Sequence, residues 1–177
     1  MPAAVETTFA YKTVMEIQRV VVAFESCTLP RAVWNHQAHL TIAAWYLFDH
    51  PKALATNLIR QGIKAYNQSV GIATTKTSGY HETITLFYVE LIDAYLTTTG
   101  RNSIVESTNG LLRSYGDPQI PLTFYSTRRL MSWEARLGWV DPDLRPLEFG
   151  ITSRGIETFD ERLIDTIEMV IDGRRYE

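Results

Sequence analysis

Apolar residues recur along this chain at intervals of three and four, and no stretch sustains the apolar–polar alternation of a half-buried strand. Over residues 6–26, Val14, Ile17, Val21 and Phe24 share one side of a helix while Lys12, Gln18 and Arg19 lie elsewhere around its axis, and Cys27-Thr28-Leu29-Pro30 ends it. A second helix starts at residue 31 or 35 and runs to about 48; it is apolar nearly all round, with Leu40, Ala43 and Leu47 on one side and Ile42, Trp45 and Tyr46 on the other. A helix without a polar face belongs at the centre of the fold. Asp49-His50-Pro51 separates it from a third helix over 51–69, in which Leu54, Leu58, Ile59, Ile63 and Tyr66 oppose Asn57, Arg60, Gln61 and Lys64 and Gly71 is the terminator.

A polar loop over 73–78 leads into a fourth helix, 80–97, built on Ile84, Phe87, Tyr88, Leu91, Ile92 and Tyr95. A shorter fifth helix over 103–114 precedes the turn-rich segment 116–121. Beyond it the pattern predicts a helix over 124–135, an extended connection over 139–146 and a weakly helical stretch over 156–171. Together these predict an all-α, single-domain helical bundle of five to seven helices, with a core domain over 1–147 and a C-terminal extension over 148–177.

At 177 residues and 45% hydrophobic content, such a bundle can bury a sizeable core without staples. The net charge of -3 and the absence of a basic run argue against a nucleic-acid partner or an anionic membrane surface. No apolar run approaches the length of a membrane span. A single cysteine, Cys27, excludes an intrachain disulfide framework and reads as an isolated buried thiol, and no basic-then-apolar leader opens the chain, so the cytoplasm is the expected compartment. The partners left are a small-molecule substrate or ligand and a second copy in a homodimer.

Chemistry enters through three of the four histidines. His36 and His39, three positions apart, fall on the Leu40, Ala43 and Leu47 side of the second helix, and His81 stands on the inward side of the fourth near its start. Two antiparallel helices would bring the three rings together, and three imidazoles plus water suit a divalent metal ion: zinc, or iron or manganese where a carboxylate joins them. Glu25 and Glu82 are the candidate carboxylates, as fourth ligand, second-shell acceptor or general base. Against this stands the plainer expectation that the histidines bond backbone carbonyls within a core and that Glu82 caps its helix three positions after Gly79. His50, beside Pro51, reads as a surface or capping residue.

Trp34 and Tyr80 flank the proposed site as candidate substrate contacts. Arg129 and Arg136, seven apart on one predicted helix, would hold a substrate carboxylate or phosphate, or else pair with neighbouring acids such as Glu134. No phosphate-cradling glycine loop, dinucleotide fingerprint or nucleophile elbow is present. Three functions remain open: a metal-dependent enzyme of hydrolase or lyase type acting on a small polar substrate, a metal-free enzyme using His81 and Glu82 as an acid–base pair, and a non-catalytic helical module that binds a small molecule or dimerises.

The segments Leu29-Pro30, Trp34-Asn35-His36-Gln37-Ala38-His39-Leu40, Gly79-Tyr80-His81-Glu82-Thr83-Ile84-Thr85, and Glu134-Ala135-Arg136 with Asp141-Pro142-Asp143-Leu144 resemble an uncharacterised bacterial family of small helical proteins. The resemblance is scattered over residues 24–147 and names no activity. It implies that the three-histidine pattern belongs to the group and that the chain beyond Pro146 is an extension.

Overall fold

Thr13 opens the first helix by a reciprocal cap: its hydroxyl accepts from the Glu16 backbone N–H at 3.3 Å, and the Glu16 carboxylate accepts from the N–H groups of Lys12 and Thr13. In the computed structural model, which describes residues 10–147, the helix α1 therefore spans Val14–Glu25. The sequence pattern extended it back to residue 6; residues 10–13 are not helical, and the rest of that stretch lies outside the described residues. The predicted helix over 156–171 and the extension over 148–177 also lie outside them.

Asn35 caps α2, His36–Asp49, by accepting from the Ala38 N–H. Pro51, which cannot donate to a helix, precedes α3, Lys52–Ser69. The imidazole of His81 caps α4, Glu82–Thr99, and Ser103 caps α5, Ile104–Tyr115. A 3-10 turn, Ile120–Thr123, follows. The helix expected over 124–135 is broken in two, α6 (Thr127–Leu130) and α7 (Trp133–Leu137), because Ser126 and Ser132 each turn a hydroxyl back onto the N–H three residues ahead and start a new helix.

The described residues form one all-helical domain of seven α-helices and no strands. α2 packs against α1, α3, α4 and α5, the central position its apolar circumference predicts. Ile42, Ala44 and Leu47 on α2 meet Phe87 and Ile92 on α4 and Leu111 on α5 in one continuous core. No described helix is long and apolar enough to cross a membrane.

Two polar devices tie distant segments to this core. Asn109 on α5 clamps the chain before α1, its amide donating to Tyr11 O and its oxygen accepting from Tyr11 N–H, each at 2.8 Å. Thr83, fully buried on α4, donates to Gly138 O and accepts from Val140 N–H, while Tyr125 donates to Val140 O. The α6–α7 segment is thereby fixed over the N-terminal end of α4.

Candidate ligand cavity

α2, α3 and α4 pack pairwise, yet a recess of about 300 Å³ remains where the three meet. From α2 it is walled by His36, His39, Leu40 and Ala43, and α3 contributes Ile59 and Ile63. α4 contributes Ile84, Thr85, Tyr88 and Val89. The spacing 36-39-40-43 on one helix and 84-85-88-89 on another is the three-and-four repeat of a single helix face, so two faces that would ordinarily fill each other stand apart here.

Beside Asn35, the cap of α2, the remaining wall is Trp34, in the turn before that helix. Its ring lies 3.8 Å, centroid to centroid, from His39, 4.8 Å from Tyr66 and 5.0 Å from Phe24. Phe24 is held in turn by Gly62 of α3, where an added Cβ would lie 2.6 Å from the Phe24 ring. The indole is thus fixed by a stack that reaches from α1 to α3, and it presents a rigid flat surface to the cavity.

The histidines are placed by their partners. His36 Nε2 lies 3.1 Å from Tyr115 O and His39 Nδ1 lies 2.8 Å from Asn35 O; since a carbonyl only accepts, each of these nitrogens carries the proton. His81 uses both nitrogens: Nε2 donates to Leu130 O at 2.9 Å, and Nδ1 accepts from the Ile84 N–H. His36 and His39 therefore share the cavity, and His81 is turned away from it toward α6. Having both nitrogens engaged, His81 has no lone pair left for a metal. Among the described residues no group of three or more His, Cys, Asp or Glu side chains is arranged to hold a metal ion. The residues present do not fit a mononuclear zinc, iron or manganese centre on His36, His39 and His81.

The other residues singled out from sequence disperse as well. Glu25, the last residue of α1, is exposed and accepts from the Tyr46 hydroxyl at 2.7 Å, outside the recess. Glu82 opens α4 and is paired with Arg60, while the Tyr80 hydroxyl donates to its second oxygen at 2.6 Å. That pairing occupies the carboxylate expected as a general base. Burial and the facing Glu82 charge push the Tyr80 phenol well above its ordinary range, so Tyr80 holds its proton. Tyr80 belongs to a separate, more polar cleft of about 390 Å³ with Lys64, Asn67 and Thr74.

Arg129 and Arg136 do not share a helix. Arg129 on α6 donates to Asp141 O and faces Glu134, and Arg136 on α7 is buried with its Nη1 within 3.2 Å of three carbonyls, Ser78, Gly79 and Tyr80. Both fasten backbone, and neither lines the cavity. Sequence reasoning assigned Tyr88, Ile59 and Ile63 to helix stripes, which is where they are; nothing in their spacing distinguishes a stripe that closes on its neighbour from one that leaves a gap. Spacing sets Arg60 opposite the apolar stripe of α3, and its pairing with Glu82 depends on a helix crossing that spacing does not encode.

Burial pushes His39 down to about 4 and holds His36 and His81 below the ordinary imidazole range, despite the carbonyl bonds that oppose the shift. The native rings are neutral at pH values where an unfolded chain, with imidazole near 6.5, takes up protons. Stability from His39 is therefore complete above about pH 6.5 and declines as the pH falls toward 4, by up to roughly 3 kcal/mol. Urea unfolding followed across that range checks this: His39→Phe, which keeps a ring against Trp34, should show a shallower acid decline than the unsubstituted protein. An identical decline in both would remove His39 from the acid response.

Fold and cavity together define an all-α bundle with a half-open, mostly apolar recess between its central helix and two neighbours. No family model, curated protein or solved structure matches this chain.

Proposed function

We propose that this chain is a small-molecule-binding protein and that the recess between α2, α3 and α4 is its binding site. The observation that carries this is the recess itself, about 300 Å³ of space walled mostly by aliphatic and aromatic side chains. A cavity this size is at the small end of ligand sites, and its composition, apolar with a few converging polar groups, is the one such sites have. An unfilled recess forgoes the dispersion contacts its lining would otherwise make, which a bound ligand restores. The metal-dependent hydrolase or lyase reading finds no donor set among the described residues, and His81 and Glu82 are each engaged elsewhere, with Leu130 and Ile84 and with Arg60 and Tyr80.

Ala43 offers the direct test. It is 5% exposed and lines the recess from the central helix, so Ala43→Leu projects three additional carbons into the space a ligand needs. The expected result is a variant at least as heat-stable as the unsubstituted protein that has lost tenfold or more in affinity for small aromatic probes, followed by ligand-observed NMR. Equal probe binding by both proteins would place the ligand elsewhere or nowhere.

A further inference from the structure

A second opening lies at the C-terminal end of α3 and shares no lining residue with the recess. Gly71, at φ +72°, lets the chain double back there: its N–H reaches Gln68 O at 3.2 Å, and the Ile72 N–H reaches Asn67 O at 2.7 Å. Residues 71–74 thereby line one cleft of about 390 Å³ with Lys64, Asn67 and Gln68 of α3 and with Tyr80. The loop side is pinned, because Arg136 holds the carbonyls of Ser78, Gly79 and Tyr80.

Asn67 is the anomaly in this cleft. It is 7% exposed, yet its side-chain amide makes no hydrogen bond to any described residue. Its amide atoms are not sealed in the core as the Tyr88 and Thr108 hydroxyls are, so the amide opens onto the cleft that Asn67 lines. A nearly buried amide without a protein partner is satisfied only by what enters that cleft, water or ligand. Lys64 stands three residues earlier on the same helix face, with about 5–6 Å between the two Cβ atoms. Its ammonium lies 4.7 Å from the Tyr80 ring centroid and has no acid partner among the described residues.

None of the lining residues is Asp or Glu. Tyr80 keeps its proton and donates it to Glu82, whose charge is matched by Arg60, so neither presents an unpaired negative charge. The α3 dipole places the equivalent of about −0.5 charge at this end, half of what the Lys64 ammonium supplies. The carbonyls of Tyr66, Asn67 and Gln68 are already taken by the N–H groups of Val70, Ile72 and Gly71. The balance favours an anion of modest charge: one ammonium and two carboxamides offer neither the second positive charge nor the nest of backbone N–H groups that phosphate sites commonly have. We infer that this cleft is a second binding site, for a small organic monocarboxylate, which places its carboxylate on the Lys64 ammonium and the Asn67 amide and its short apolar body against Ile72 and the Tyr80 ring.

Propionate, its neutral isostere propionamide and inorganic phosphate, titrated near neutral pH and low ionic strength into the unsubstituted protein, Lys64→Met and Asn67→Leu, provide the test. Heteronuclear NMR reads the Asn67 side-chain amide and the backbone amides of residues 71–74. The expected result is a saturable shift at those groups, with propionate bound at least about fivefold more tightly than propionamide, and more tightly than phosphate, and a preference that falls as salt is added. Lys64 is exposed, so Lys64→Met keeps the fold and the apolar stem while the preference for propionate over propionamide disappears. Asn67→Leu, similar in volume, should weaken propionate by about fivefold or more with the melting temperature unchanged or raised. A preference that survives Lys64→Met, propionate binding untouched by Asn67→Leu, or phosphate bound more tightly than propionate would overturn the carboxylate assignment. No saturable shift at residues 67 and 71–74 with any of the three probes would overturn the site itself.

Discussion

Gly79→Ala should cost the fold roughly 3 kcal/mol or more, from about 1–2 for forcing a side chain into the left-handed region and 1–3 for overpacking. Gly79 has φ +83°, and a Cβ built there lies 2.5 Å from Ala73 O and 2.7 Å from Thr74 Cα. Both obstacles are backbone, so no rotamer change relieves them. The glycine closes the polar loop onto the start of α4, where Tyr80 and His81 follow it directly. Urea unfolding at neutral pH gives the measurement: a large fall in midpoint with an unchanged slope is the expected signature. A loss under about 1 kcal/mol would mean that the loop moves aside freely.

Arg136→Met carries the second large effect. The guanidinium is 6% exposed and its Nη1 lies 3.2 Å from each of the Ser78, Gly79 and Tyr80 carbonyl oxygens, a cation held by backbone dipoles. Charged hydrogen bonds contribute about 1.5–3 kcal/mol each, and three that share one nitrogen do not add, so a loss of about 3 kcal/mol is expected. Methionine keeps the apolar stem and isolates the polar part of the loss. Because the same three residues lead into the His81 cap, local unfolding should reach α4 before α2. Amide hydrogen exchange in the variant would show this as early loss of protection over residues 82–86, and uniform loss along the chain would refute the local role.

Much of the bundle was legible. The apolar circumference of α2 marked it as central, and the stripes of α3 and α4 located those helices to within a few residues. What escaped was decided by hydrogen bonds that periodicity does not record. Ser126 and Ser132 are compatible with a helix interior by pattern, yet each prefers to cap, and the helix expected over 124–135 became two.

The site shows the same division. His36 and His39 share a face because three residues of helix place them so, and both reach the cavity. His81 was expected to join them from the inward side of α4. It sits one residue before that helix, where a side chain that can accept satisfies an orphan N–H, and its ring is consequently spent on the cap and on Leu130. The acids followed local partners: Glu82 found Arg60 across a helix crossing, and Glu25 found Tyr46. A one-dimensional pattern reports which face a residue occupies, and the choice among partners on that face belongs to three-dimensional packing.

The stack that fixes Trp34 gives the molecule an optical gauge of its own cavity. Of the four tryptophans, Trp34 alone lines the recess, held by neighbours from α1, α2 and α3 rather than by solvent. Anything that enters displaces water from the exposed edge of that indole while its ring stays still, so occupancy is written into the colour of its emission without any label attached.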